Sequence, residues 1–457
     1  MARPLRRLMA AVLALTTVGL TGCATIVIGR PEARQAPPPG GGSDAVVGAD
    51  GGEVDQLAAA ALADLEDYWS EVFPEVFGGA FAPLQGGYFS VDPGNVDPAE
   101  YPQGVGCGSD PRELENNAFY CQSPNAPNSD SISYDRAFLG ELAGQFGRFI
   151  PALVMAHEFG HAVQGRVGLP ASSITTETQA DCLAGSWTRW VADGEAARSR
   201  LREPELDELL RGYFQLRDPV GTSSAGESAH GSYFDRASAF QEGFDDGPTA
   251  CRDNFGPDRI FTQGQFVTDE DFQRQGNAPY RDLIGYVEEA LPAFWEEAFT
   301  DVFGESFDPP AVEPFAGTAP DCAPDDRDLV YCEEGNLVGY DERDLTQDVY
   351  RIGDYAVATG IAIPYALAAR GQLGLDPADP DALRSAVCLT GWFSAAVYQR
   401  QVPGVLASPG DLDESVLFLL VYGVEEEVLG AADLSGFQLV DLFRAGFVEG
   451  VSACDVE

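Results

Sequence analysis

The chain has 457 residues, 27 of them basic and 73 acidic, which gives a formal net charge of −46 at pH 7. So acidic a chain is repelled by nucleic acids and by anionic membrane surfaces, so we expect neither as a partner. About 400 residues follow the N-terminal segments described next, and this length predicts two domains.

The N-terminus is typical of an exported lipoprotein. Three arginines precede an apolar run at residues 8–20 that is too short to span a membrane permanently. The run ends in Leu-Thr-Gly-Cys at residues 20–23, which resembles the lipobox of bacterial lipoproteins. An ordinary secretory signal peptide with an incidental cysteine is the alternative. We expect residues 1–22 to be a signal peptide and the lipid on Cys23 alone to hold the protein at the outer face of the cell membrane.

Residues 23–53 are rich in proline and glycine, with the run Pro-Pro-Pro-Gly-Gly-Gly-Ser at residues 37–43. Such a segment buries too little apolar surface to offset the loss of chain entropy. We expect it to be a tether between the lipid and the folded domains.

An internal repeat organises the remaining chain. The segments 67–73, 119–121, 180–185 and 240–244 are echoed, in the same order, at 293–299, 330–332, 386–391 and 443–447. We therefore predict two copies of one domain, at residues 54–262 and 280–457. The predicted fold class is a mainly helical α+β domain with a small sheet, duplicated in tandem.

Eight cysteines lie beyond Cys23, and an even number in an exported chain indicates disulfides. Metal binding by cysteines is the alternative, but no close Cys-x-x-Cys pair is present. Since each copy contains four, the economical pairing stays within a copy. The predicted bonds are Cys107–Cys121, Cys182–Cys251, Cys322–Cys332 and Cys388–Cys454.

The first copy contains His-Glu-Phe-Gly-His at residues 157–161, which include two of the three histidines of the chain. Residues four apart share one face of a helix, so His157 and His161 can bind one metal ion, with Glu158 beside it as a base. The alternative is a helix that has these residues on its solvated face. The motif predicts a site for one Zn²⁺ ion.

A second helix, predicted to be capped by Thr175 or Thr176 and to run to about residue 193, supplies further candidates. Glu177 and Asp181 lie four apart on it, and so on one face. Zinc bound by two histidines needs a third protein ligand and one open position, and Glu177 is placed to be that ligand. Asp181 is predicted to accept the free N–H of a ligating imidazole.

His-Glu-Phe-Gly-His-Ala-Val-Gln at 157–164 and Glu-Thr-Gln-Ala-Asp-Cys-Leu-Ala-Gly-Ser-Trp at 177–187 resemble a bacterial neutral zinc metallopeptidase family. Phe-Gln-Glu-Gly-Phe at 240–244 and Phe-Tyr-Cys at 119–121 fit the same family. The resemblance covers about residues 107–251. It implies a zincin-like fold in which His157, His161 and Glu177 bind zinc and Glu158 is the catalytic base.

The reaction implied is hydrolysis of a peptide bond in a peptide or protein by metal-activated water, with Glu158 transferring the proton to the leaving amine. His230 and Tyr233 are candidate donors to the oxyanion. For His230, a solvated position in its Gly-Ser-rich loop is the alternative. Arg236 is expected to form a surface ion pair or to bind a substrate carboxylate.

The second copy lacks these ligands. A shift of 206 residues places Ile363, Pro364 and Leu367 at the positions of the motif, and Leu383 and Val387 at those of Glu177 and Asp181. We therefore expect a degenerate, metal-free domain. The leading hypothesis is a lipid-anchored zinc endopeptidase with one working domain. The alternative is a non-catalytic, surface-anchored binding or scaffold protein with a vestigial metal site.

Overall fold

The computed structural model describes residues 45–170, 172–324, 326–377, 379–430 and 434–456, with the backbone alone at 203, 204 and 213–215. The expected signal peptide, the lipid attachment at Cys23 and the tether as far as residue 44 lie outside these residues. Every helix within them is too short or too polar to cross a membrane.

The first half of the chain combines one sheet with a set of helices. In chain order its elements are β1 (Val46–Val47), α1 (Glu53–Val76), β2 (Gly87–Val91), β3 (Ala118–Cys121), β4 (Ser131–Asp135), α2 (Arg136–Phe146), α3 (Ile150–Val167), α4 (Ser173–Ala192), α5 (Glu203–Leu216) and α6 (Tyr233–Asp253).

The first sheet has the strand order β1-β2-β4-β3. The strands β1, β2 and β4 are parallel, whereas β3 pairs with β4 in the antiparallel direction and forms an edge. Val46 pairs with Tyr88 and is buried. The predicted tether is therefore too long at its end, because these apolar residues add a strand to the sheet.

The second half contains a smaller sheet and a second set of helices. Its elements are α7 (Asp269–Arg274), α8 (Tyr280–Ala298), β5 (Ala311–Phe315), β6 (Leu329–Cys332), β7 (Leu337–Asp341), α9 (Gln347–Val349), α10 (Asp354–Gln372), α11 (Ala382–Tyr398), α12 (Asp411–Phe418), α13 (Glu426–Leu429) and α14 (Gly436–Glu449).

The second sheet has the order β5-β7-β6, with β5 parallel and β6 antiparallel to β7. The first sheet has the same arrangement, with β2 parallel and β3 antiparallel to the central strand β4. The last residues of β4 and β7, Asp135 and Asp341, each accept two backbone N–H bonds at the start of the helical segment that follows. The mainly helical α+β class predicted from the sequence is confirmed.

One apolar core extends through both halves. The helix α3 is apolar on nearly all sides and is buried along most of its length, as expected for a helix with no solvated face. It begins at Ile150, shortly after α2 ends at Phe146. Ser172, rather than either predicted threonine, caps α4.

The four predicted disulfides are confirmed in their pairing, with Cα–Cα distances of 5.3 to 5.9 Å. Cys121 and Cys332 lie at the ends of β3 and β6. Cys182 joins α4 to Cys251 on α6, and Cys388 joins α11 to Cys454, just beyond α14. Each of these two bonds ties a helix to the last helical segment of its own half of the chain.

Candidate metal centre

The helix α3 presents His157 and His161 on one face, with ring centroids 4.8 Å apart. His161 is buried and the His157 side chain is 13% exposed, so solvent reaches the pair mainly at His157. The i, i+4 spacing in the sequence accounts for this part of the site without any tertiary contact.

A close crossing of α3 and α4 brings the third candidate ligand to the two imidazoles. A Cβ atom at Gly160 would lie 2.9 Å from Cα of Ala180, so the glycine inside the motif permits this approach. As a result, Oε2 of Glu177 lies 3.3 Å from Nε2 of His157 and 3.5 Å from Nε2 of His161.

These three atoms fit a tetrahedral metal ion. All three lie within 4.8 Å of one another. With metal–ligand bonds of roughly 2.0 Å, two tetrahedral ligands are separated by roughly 3.3 Å, close to the distances found here. Nε2 of His161 and Oε2 of Glu177 are buried and make no hydrogen bond within the described part of the chain. Two imidazole nitrogens and one carboxylate oxygen are a donor set that suits zinc.

The far nitrogen of His157 is held by Asp181, as the sequence predicted. Nδ1 of His157 lies 2.7 Å from Oδ1 of Asp181. Arg236, on α6, donates to both carboxylate oxygens, at 2.8 Å from Nε to Oδ2 and 2.7 Å from Nη2 to Oδ1. The expected surface ion pair of Arg236 is therefore wrong, because its side chain is buried and orients Asp181.

The far nitrogen of His161 is held by Gln164, which the sequence reasoning missed. Nδ1 of His161 lies 2.8 Å from Oε1 of Gln164. Nε2 of Gln164 donates in turn to the carbonyl of Thr176 at 2.7 Å and to Oε1 of Gln179 at 3.0 Å. The i, i+3 spacing of His161 and Gln164 was the available signal. With both Nδ1 atoms engaged, both Nε2 atoms face Glu177.

The charges of the cluster are strongly coupled. Burial lowers the pKa of His157, but Asp181 and Glu177 together outweigh burial and raise that pKa to about 10. Burial raises the pKa of Glu177, but the two imidazoles outweigh it and hold that pKa well below its ordinary value. Because a metal ion binds the deprotonated form of imidazole, it would compete with protons at both histidines.

Glu158 is 5% exposed and lies beside the cluster. Its Oε2 accepts a hydrogen bond of 2.7 Å from the backbone N–H of Tyr120, on the edge strand β3. Burial raises the pKa of Glu158 above its ordinary value. A carboxylate with a raised pKa is suited to accept a proton and release it again.

The other two candidates have different neighbours. Nδ1 of His230 lies 3.1 Å from Oδ1 of Asp218, and its backbone N–H donates to the same side chain. Tyr233 is fully buried at the start of α6, near Asp413 of the second half, and burial raises its pKa well above the ordinary value. The described contacts bring neither side chain to the three clustered atoms.

In the second half, the positions aligned with the ligands are apolar as predicted. Ile363 lies on α10 and is 1% exposed, and Val387 lies on α11 and is fully buried. Leu367 and Leu383 are partly buried against the same core. The helices α10 and α11 therefore place apolar, packed side chains at the positions where the first half has polar candidate ligands.

No model of a known protein family matches the chain. It is 29% identical over 176 residues to the uncharacterized protein Mb2605 of Mycobacterium bovis, and 28% identical over 174 residues to the uncharacterized protein YpfJ of Escherichia coli K12. The alignments cover 32% and 33% of this chain. They span 58% of each relative, which is less than two thirds of its length. No solved structure matches the chain.

Proposed function

We propose that the protein is a zinc-dependent endopeptidase that hydrolyses peptide bonds in peptide or protein substrates. The observation that supports this proposal best is the convergence of His157, His161 and Glu177 within 4.8 Å, beside the buried carboxylate of Glu158. The combination provides three ligands, a base and partners for both far imidazole nitrogens. The resemblance to neutral zinc metallopeptidases points to the same activity.

In the proposed reaction, His157, His161 and Glu177 hold one Zn²⁺ ion, which would supply a Lewis acid for the scissile carbonyl and for the attacking water. Glu158 takes a proton from that water and gives it to the leaving amine. The N–H of Tyr120 fixes one oxygen of Glu158, so the other oxygen is available for the proton. Asp181 and Gln164 keep both imidazoles in the tautomer that presents Nε2.

We also propose that residues 54–262 and 280–457 are two copies of one zincin-like domain. The matching strand arrangements of the two sheets support this. A Cβ on Gly185 of α4 would lie 2.0 Å from the carbonyl oxygen of Phe240 on α6. A Cβ on Gly391 of α11 would lie 1.9 Å from the carbonyl oxygen of Phe443 on α14. The same close helix crossing thus occurs at aligned glycines in both halves.

The lipid anchor on Cys23 is a further part of the proposal, supported by the lipobox resemblance of residues 20–23. Replacing Cys23 with serine removes the thiol that would be acylated. We expect the Cys23→Ser protein to leave the membrane fraction and to fail to incorporate labelled palmitate in a bacterial host. Equal labelling of both proteins would contradict the anchor.

The test of the enzymatic proposal is Glu158→Gln in the full protein. The substitution removes the base and keeps the shape of the side chain, so zinc should remain at one ion per chain. Hydrolysis of unfolded casein should fall by about 10²–10⁴-fold, the usual contribution of a general base. Metal content is measured by atomic absorption and turnover by release of soluble peptides.

The matched control is Glu71→Gln, because Glu71 is an exposed residue of α1. It should keep both zinc and activity. A wild-type protein that binds no zinc would end the proposal, and so would a Glu158→Gln variant with full turnover.

A further inference from the structure

The second half of the chain contains a cavity of about 330 Å³ that has no part in the metal centre. It lies between α7, α8, the start of α10, the end of α11 and the loop at residues 404–411. Its volume is within the range of about 300–1,000 Å³ that is usual for small-molecule sites.

One wall of the cavity is apolar. Buried Leu283, Val287 and Leu291 of α8 face the cavity together with Phe393 and Val397 of α11. At the mouth, Tyr286 and Leu406 are 45% and 65% exposed. This wall would bury the apolar part of a ligand.

The rest of the lining is mainly acidic, and Arg274, which also lines the cavity, pairs with Glu270 at 2.8 Å. Asp354 is the first residue of α10 and Asp411 the first residue of α12, and both line the cavity. Glu414 lies one turn beyond Asp411. Carboxylate oxygens of these three residues lie within 4.8 Å of one another. Asp411 is 5% exposed and Glu414 is 8% exposed.

The hydrogen bonds described for these carboxylates come from neutral backbone amides. Ser408 N–H donates to Asp411 at 2.7 Å, Tyr355 N–H to Glu414 at 2.8 Å and Ala278 N–H to Asp354 at 2.8 Å. Oδ1 of Asp354 is buried and makes no hydrogen bond among the described residues. This oxygen is the unused acceptor at the acidic end.

The three carboxylates are close together, and the hydrogen bonds described for them come from uncharged N–H groups. When they are ionised, they therefore repel one another. Burial, followed by the neighbouring carboxylates, raises the pKa values of Asp411 and Glu414 well above the ordinary range. A bound cation would relieve this repulsion and supply the donor that Oδ1 of Asp354 lacks.

We propose that the cavity binds a small organic ammonium ion. Its charged head contacts Asp354 and Asp411, and its apolar body lies against α8 and α11. A metal ion alone would leave the apolar wall unused, since calcium takes six to eight oxygen ligands and has no apolar part. This site is independent of the proposed peptidase activity.

The test is calorimetric titration of the full protein with hexylammonium, hexanol and calcium chloride. Hexylammonium should bind at one site at least tenfold more tightly than hexanol, which has the same chain without the charge. Each methylene removed from the alkyl chain should weaken binding about fourfold, because less apolar area is buried. Equal binding of hexanol, binding of calcium alone, or no binding of hexylammonium would overturn the proposal.

Two variants locate the site. Asp354→Asn should weaken hexylammonium binding at least tenfold, whereas Asp301→Asn, at an exposed position outside the cavity, should leave it unchanged. Leu406→Ala removes an exposed side chain that the fold does not need, and it should weaken hexylammonium but not methylammonium. Unchanged affinity in both the Asp354 and Leu406 variants would place the ligand elsewhere.

The Glu158→Gln protein should bind hexylammonium normally.

Discussion

Each imidazole of the candidate metal centre is oriented by a side chain that contacts its Nδ1 atom, and the two partner side chains differ in charge. Asp181 holds His157 and is ionised, since burial raises its pKa but Arg236 and His157 outweigh burial and lower it. Gln164 holds His161 and is neutral. The residues that orient the ligands are therefore anchored to two different helices, α6 through Arg236 and α4 through Gln179.

At the scale of single residues, we predict that Gln164→Met weakens zinc binding about 10–100-fold. This is the usual effect of losing the hydrogen-bond partner of a ligating histidine. Methionine has a similar volume, but its sulfur is only a weak acceptor for Nδ1 of His161 and it cannot donate to Thr176, so the ring is held less firmly. The lost hydrogen bonds should also destabilise the fold by about 1–3 kcal/mol. Competition with a calibrated chelator measures the zinc affinity.

Gln56→Met is the control, because Gln56 is exposed on α1 and distant in sequence from the motif. Its zinc affinity should equal that of the wild type. A folded Gln164→Met protein with unchanged affinity would show that Gln164 does not orient the ligand.

At the scale of the helices, the crossing of α4 with α6 positions Arg236 relative to Asp181. Gly185 of α4 faces the backbone carbonyl of Phe240, and Gly243 of α6 faces that of Cys182. Because backbone atoms face both glycines, no side chain can move aside to admit a larger residue.

We predict that Gly185→Ala destabilises the protein by at least about 1–3 kcal/mol, because the Cβ atom of the new alanine forces α4 and α6 apart. Urea unfolding measures the change. Gly144→Ala is the matched control, since Gly144 lies in α2 with no atom within 4 Å of an added Cβ. That change should stabilise the protein by about 0.5–1 kcal/mol, since alanine favours helix over glycine. A neutral Gly185→Ala would contradict the tight crossing.

At the scale of the whole molecule, the two halves share one core. Phe234 of α6 lies with its ring centroid 6.2 Å from that of Phe443 and 4.8 Å from that of Phe447, both on α14. Asp413 of α12 accepts the backbone N–H of Phe234 and pairs with Arg217 at 2.9 Å. The second half therefore supports the start of the helix that supplies Arg236 to the candidate metal centre.

We predict that Phe443→Ala, in the second half, also destabilises the first half, which contains the candidate metal centre. Removing this fully buried ring should cost about 3–5 kcal/mol. Because the core is continuous, zinc release and loss of helical structure should shift together to lower temperature. A zinc-sensitive dye and circular dichroism follow the two events during heating.

Val448→Ala is the control, because Val448 lies on the same helix but is 61% exposed. It should leave both transitions in place. Zinc release at the wild-type temperature in Phe443→Ala would show that the halves unfold separately.

The sequence by itself determined the local features of this protein. The spacing of His157 and His161 places them on one helix face, since the period of the helix is a property of the backbone. The ordered echoes between the halves gave the four disulfide pairs, because each cysteine of one copy had a counterpart in the other. The mainly helical α+β class followed from the same patterns.

Tertiary structure decided what depends on contacts between distant segments. The partnership of Asp181 with Arg236 joins residues 55 positions apart, and that of Glu158 with Tyr120 joins residues 38 apart. The contact between Nδ1 of His230 and Oδ1 of Asp218 likewise joins two separate parts of the chain. Sequence spacing does not specify such neighbours, because they arise from helix crossings and strand register. The acidic cavity of the second half also has no local pattern, since its carboxylates come from the starts of two separate helices.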